Sequence, residues 1–213
     1  MDLKLKKWLK WLEIIKIEVQ QLVVDKDIFW SVQNLIENNK EIQKPSSFYQ
    51  YLGDTYVSHS VIGVRRQIKN QKQSISFARL LAEIIETPEK INRKYYCELY
   101  KDSIVADLAD GHFDRYCVKP GDSYVSSVIV ENDLKKLKQI TAKVEEFSDK
   151  RIAHRDTRTP ETLPKFSEID ASIELLDKLY VKYHLLLYAD GMDSLMPTYQ
   201  YDWQEIFDSQ WRL

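Results

Sequence analysis

Of the four histidines in the chain, His154 alone sits inside a cluster of cations: Lys150 and Arg151 precede it, and Arg155 and Arg158 follow. On a helix, Arg151 at the i−3 position projects beside His154. An imidazole changes charge near neutral pH and so can move protons. Guanidinium and ammonium groups hold phosphate oxygens through charge-assisted hydrogen bonds. Together these residue types suit chemistry on a phosphate ester, or the holding of one. A purely structural origin is also available, because cations are favoured at the negative end of a helix dipole, which accounts for Lys150, Arg151 and Arg155. That origin leaves Asp149 and Asp156, which bracket the cluster and can pair with the arginines.

The remaining histidines, His59, His112 and His184, are scattered. They read as surface or partly buried structural residues rather than ligands. The sequence holds no phosphate-cradling glycine loop, HExxH, GxSxG or clustered Cys/His set, so neither a metal nor a cofactor is expected. Cys97 and Cys117 are too few and too far apart for a disulfide framework or a CxxC pair, which points to a reducing compartment and a cytoplasmic protein.

The elements that must position this cluster are helical. The 213 residues are 44% hydrophobic and 30% charged, with only 5 Gly and 6 Pro, a balance that favours long helices over turn-rich β structure. One all-α domain spanning residues 1–213 is expected, arranged as an antiparallel up-down bundle of long amphipathic helices. Trp8, Trp11, Leu12, Ile15, Val19 and Leu22 define a first helix over 3–24, and Ile28, Val32, Leu35 and Ile36 a second behind the acidic start Asp25/Asp27. A third helix runs from a Ser46 or Ser47 cap through Tyr49, Tyr56, Val61, Val64 and Ile68, interrupted by Gly53 and Gly63. Each glycine costs about 1 kcal/mol against alanine in a helix interior, so close packing is expected to compensate, most clearly at Gly63.

Lys69–Gln73 reads as a turn and Ser74 or Ser76 as the cap of a helix through Phe77, Leu80, Leu81 and Ile84. Thr87-Pro88 opens another through Tyr95 and Leu99. Residues 102–130 read as loop, with 123–130 extended, and Asn132 or Asp133 as the cap of the helix that carries Leu134, Leu137, Ile140, Val144 and Phe147 toward Arg151 and His154. At 100° per residue this seam turns from apolar to basic at its end. Pro160 and Pro164 break the chain, and Ser167-Glu168-Ile169-Asp170 has capping-box spacing for a last long helix stopped near Gly191. Residues 192–213 form an aromatic tail with Trp203, Phe207 and Trp211 at helical steps, expected to pack on the body.

The lysines and apolar residues near the start interleave at helical spacing, unlike a signal peptide. A surface-seeking basic helix over Leu3–Leu12 is the lesser reading beside a core-facing one, and no apolar run approaches the roughly 20 residues that span a bilayer. The net charge of −2 confines any nucleic-acid contact to a local patch.

The string SDKRIAHRD, behind one long helix and ahead of a proline-bearing turn and another, resembles the HEPN superfamily of nucleotide-binding domains, especially its abortive-infection AbiU-type branch. SVIGVRRQIKNQKQSISFARLLAEI, beginning at Ser60, looks like the first conserved block of that branch. The resemblance implies a two-fold homodimer and a phage-defence or toxin-type protein acting on RNA as a metal-independent endoribonuclease, with an antitoxin or other protein as a partner. It makes His154 the acid/base residue and Arg151 the residue that stabilises charge on the phosphate, with Arg155, Lys150, Arg158, Arg65 and Arg66 available to bind RNA phosphates. The family places its Arg four to six residues of spacer ahead of the His, where this chain has Phe147, Ser148 and Asp149. That departure supports the alternative of a catalytically silent relative that binds RNA, nucleotide or a protein partner.

Overall fold

The computed structural model describes residues 2–152 and 163–207, and His154, Arg155, Asp156, Arg158, Pro160 and Trp211 lie outside the described residues. Among the described residues there are seven α-helices and no strand: α1 Leu3–Asn38, α2 Ser47–Ile68, α3 Phe77–Glu86, α4 Arg93–Leu99, α5 Ala109–Phe113, α6 Ser127–Phe147 and α7 Phe166–Tyr188. The long helices α1, α2, α6 and α7 pack together with the shorter α3, and their buried faces join in one hydrophobic cluster.

The two helices expected before residue 38 are one, 36 residues long. No breaker separates the two apolar series, and the buried seam runs from Leu5, Trp8 and Leu12 through Val19 and Leu22 to Phe29. Asp25 and Asp27 do not start a helix. They face other elements, Asp25 meeting His59 and Asp27 accepting from the Tyr199 hydroxyl at 3.1 Å. The Leu3–Leu12 segment places Leu5, Trp8 and Leu12 in the core rather than on a membrane surface, and among the described residues no helix is long and apolar enough to cross a bilayer.

Ser46 and Ser76 cap α2 and α3 as their positions predict, accepting from Phe48 N and Arg79 N at 3.2 and 3.1 Å. The two glycines of α2 differ. A Cβ on Gly63 would come within 2.5 Å of the Leu22 side chain, whereas one on Gly53 would meet nothing within 4 Å. Gly63 is therefore a packing glycine and Gly53 is not. Gly53→Ala is expected to raise stability by about 0.5–1 kcal/mol and Gly63→Ala to lower it, because the helix-propensity gain is common to both and only Gly63 adds a clash with a buried leucine. Urea midpoints of the two variants test this, and equal shifts in one direction would contradict it.

Thr87-Pro88 opens only a single 3-10 turn, Pro88–Lys90, and α4 starts afresh behind Asn92, whose side chain accepts from Tyr95 N at 2.9 Å. The Thr87 hydroxyl is not a cap, since it donates to the Glu83 carbonyl. The expected loop over 102–130 contains α5 and the first turn of α6. Only Tyr124 keeps an extended pairing, with Asn92. α6 begins behind Ser126 rather than at Asn132 or Asp133, because Val130 packs into the core and Asp133 is occupied by Lys182 and the Tyr183 hydroxyl at 2.6 and 2.9 Å. A short run such as SVIV suits a buried helix turn as well as a strand.

Further along α6, Thr141 takes the buried place, with Leu137 and Val144, while Ile140 is 41% exposed. Past Phe147 the helix widens into a π turn over Ser148–Ile152. Widening shifts the phase of every following side chain. Arg151 consequently stands exposed instead of extending the seam.

α7 starts at Phe166, one residue before the serine expected to cap it. Its reciprocal bond runs from Lys165 N to Glu168 Oε2, at 2.9 Å, and not from Ser167. It ends at Tyr188 because Ala189, not Gly191, adopts the left-handed conformation, with φ of 55°. The chain beyond is fastened by Asp177, which accepts from Ser194 Oγ and Leu195 N, both at 2.7 Å, and buries Leu195. Of the aromatic tail, the described part of the expected helical segment, Trp203–Phe207, is a 3-10 helix with Phe207 43% exposed, and Trp211 lies outside the described residues.

Candidate functional site

The C-terminal turn of α2 and the C-terminal turn of α6 lie side by side, each presenting polar residues four apart. From α2 and its last residue's neighbour come Arg65 and Lys69, and from α6 and the π turn come Glu145 and Asp149. The i, i+4 spacing puts each pair on one helix face. The two faces interlock: Arg65 Nε meets Asp149 Oδ1 at 2.5 Å, Lys69 Nζ meets Asp149 Oδ2 at 3.1 Å, and Lys69 Nζ meets Glu145 Oε1 at 2.8 Å. Asp149 thus spends one oxygen on a guanidinium and the other on an ammonium.

Burial alone would push the Asp149 carboxyl up. The hydrogen bonds from Arg65 and Lys69 outweigh it and hold the group below the usual carboxylate range. Burial likewise works against the charge on Lys69, and its bonds to Glu145 and Asp149 more than restore it. Both groups stay ionised at neutral pH. The cluster is half-buried, with side-chain exposure of 28% for Arg65 and 40% for Asp149, so it is open to a solute.

Around this core, Lys150 Nζ bonds Glu146 Oε1 at 2.6 Å, one turn back on the same helix. Arg66 and Arg151 are exposed and form no ion pair among the described residues. Ser148 is fully buried, with its hydroxyl unpartnered among the described residues. Of the residues singled out for phosphate binding, Arg65 and Lys150 are therefore paired with carboxylates, and Arg66 and Arg151 stand apart from the described ones. Asp149 pairs across to α2 rather than with Arg151. Nothing local in the sequence links Arg65 to Asp149, which are 84 residues apart. Sequence reasoning misses Lys69 and Glu145, because Lys69 falls in a stretch that reads as a turn and Glu145 in one that reads as solvated helix. The matching i, i+4 spacing of opposite charges is the available signal.

Two of the other three histidines have structural settings, and His112 sits half-exposed on α5. His59 Nδ1 lies 2.5 Å from Asp25, and buried His184 stacks between Tyr180 and Tyr188 with Nδ1 2.9 Å from the Asp190 carbonyl. Cys97 and Cys117 are free thiols, and among the described residues no group of three His, Cys, Asp or Glu could hold a metal ion. A cleft of about 490 Å³ opens elsewhere, between α1, α7 and the chain after α7, lined by Lys26, Asp27, Trp30, Glu174 and Asp177 among others. Its one lysine is tied to Glu174 at 2.5 Å, and it includes none of the α2/α6 cations.

Fold and site together define an all-α protein of long packed helices with a salt-bridged cation cluster where two helix C-termini meet. Comparison with known proteins goes no further: no family model, no curated protein and no solved structure matches the chain.

Proposed function

We propose that the chain is a HEPN-like protein, an antiparallel up-down bundle that acts on RNA at the end where α2 and α6 meet. The observation that carries this reading is the Arg65–Asp149 ion pair, which joins the two stretches whose sequences resemble the family's blocks. The helix pairings agree with an antiparallel order. Gln67 reaches Glu18 and His59 reaches Asp25, so α2 descends as α1 rises; Trp30 reaches Asp170 and Tyr188 reaches Leu9, so α7 descends along α1 in the same sense.

In this reading a homodimer brings two copies of the α6 end together, and RNA phosphates are held by Lys150, Arg155, Arg158, Arg65 and Arg66. His154 removes the proton of a 2′-hydroxyl as the O2′–P bond forms, and returns a proton to the 5′ oxygen as the P–O5′ bond breaks. Arg151 stabilises the charge that develops on the phosphate oxygens. The biological setting is phage defence or a toxin with an antitoxin partner, in the cytoplasm.

A second reading, a silent HEPN-like protein that binds RNA, nucleotide or a protein partner, is favoured by two observations. Arg65 and Lys150 are already engaged by acids, and no arginine stands at the family spacing before His154. The test is incubation of purified protein with labelled single-stranded RNA in excess chelator, together with binding measured at two salt concentrations. Cleavage without divalent metal is expected, with binding that weakens steeply as salt rises. Binding without cleavage would leave the second reading, and no salt-dependent binding would overturn action on RNA altogether.

A further inference from the structure

We propose that Asp149 occupies the anion site of this protein as a built-in competitor, so that an RNA phosphodiester must displace its carboxylate from Arg65 and Lys69 to bind there. The inference rests on the proposed action on RNA and concerns how that same site is regulated.

The geometry of the carboxylate is the reason. Its two oxygens are divided between Arg65 Nε and Lys69 Nζ, at 2.5 and 3.1 Å. The two nonbridging oxygens of a phosphodiester offer the same pair of acceptors to the same pair of donors. Lys69 has a second acid, Glu145 at 2.8 Å, whereas among the described residues Arg65 is paired with Asp149 alone. Arg66, exposed next to Arg65, adds a cation on which an approaching strand can first settle. Asp149 itself sits in the π turn, where the helical ladder is already altered, so the carboxylate can swing away without unwinding α6. A side chain that is 40% exposed is also within reach of a competing anion.

The ion pair therefore lowers affinity for RNA in the resting protein and makes binding depend on local phosphate density. Isolated inorganic phosphate, which offers no neighbouring phosphates to Arg66, is a poor displacer.

The experiment measures binding of a fluorescent single-stranded RNA oligonucleotide to the full chain by anisotropy, at two salt concentrations. The set is wild type, Asp149→Asn, Asp149→Glu and Asp149→Asn combined with Arg65→Gln. Asp149→Asn is expected to bind about tenfold tighter, the size of one or two additional charge-assisted hydrogen bonds to phosphate. Its salt slope should steepen by about 0.7 for each further phosphate neutralised on a single strand. Asp149→Glu, which keeps a carboxylate, should stay close to wild type, and adding Arg65→Gln should erase the tighter binding. Thermal melts show whether each variant is folded. If Asp149→Asn does not fold, Glu145→Gln, which releases Lys69 from its other acid, should still tighten binding several-fold. Wild-type binding that Asp149→Asn leaves unchanged or weakens, with the protein folded, would overturn the competitor while leaving action on RNA standing. No salt-dependent RNA binding by any of them would overturn both.

Discussion

Trp8→Ala is expected to lower unfolding free energy by about 4 kcal/mol, within the range for deleting a buried aromatic side chain. Trp8 is fully buried, on the seam of α1 that faces α3, and its indole Nε1 donates to Glu83 Oε2 at 2.9 Å. Two effects add. Removing the ring leaves a cavity that neighbours such as Leu5 and Leu12 fill only in part, and the buried Glu83 carboxylate loses one of its donors. The second effect is the smaller, because Glu83 keeps Lys7 at 2.5 Å and Arg79 at 3.2 Å. Trp8→Phe separates them: it retains most of the packing and gives up the hydrogen bond, for an expected loss of about 1–2 kcal/mol. Against a typical total of about 5–15 kcal/mol, the alanine variant stands close to unfolding. Urea denaturation followed by circular dichroism measures both. A loss under about 1 kcal/mol for Trp8→Ala would mean that the α1/α3 packing is not part of the cooperative core.

His154→Ala is expected to reduce metal-independent RNA cleavage by about 10²–10⁴-fold, the usual contribution of a positioned general acid or base. RNA affinity should change less than on loss of a cluster cation, because guanidinium and ammonium groups carry the phosphate contacts. Arg151→Ala should lower cleavage and also flatten the salt dependence of binding, since it removes a cation. The split between the two variants separates a proton-moving group from a phosphate-holding one. Full cleavage by His154→Ala would assign the chemistry to other residues and overturn the role given to His154.

Where local pattern and tertiary packing ask for the same thing, the sequence reading and the structure agree. Ser46 and Ser76 cap the helices they precede, the apolar series from Trp8 to Leu22 on α1 and from Phe77 to Ile84 on α3 faces the core, and Gly63 faces a neighbouring leucine, whereas Ile28, Val32, Leu35 and Ile36 are only half-buried. Where two local signals are equally good, packing chose. Asp25 and Asp27 have the form of a helix start, yet the core continues past them to Phe29 and keeps α1 unbroken. The residues SVIV have the form of a strand, yet Val130 fits the core only as part of α6. Ser167 fits a capping box, yet the bond that Glu168 accepts comes from Lys165 N.

The residues that could do chemistry divide in the same way. The types and spacing of Lys150, Arg151 and His154, and of Arg65 and Arg66, are written in the chain, and they suffice to suggest phosphate as the ligand. Their relation to one another is not. Helical periodicity depends on neighbours three and four residues away, whereas the Arg65–Asp149 pair spans 84 residues and exists because α2 and α6 end together. The π turn after Phe147, which turns Arg151 outward, also breaks the even 100° rotation that would have kept this residue on the seam. The sequence by itself determined a helical protein with a basic helix end; only the tertiary structure decided that this end is met by a second helix's cations and held by one shared carboxylate.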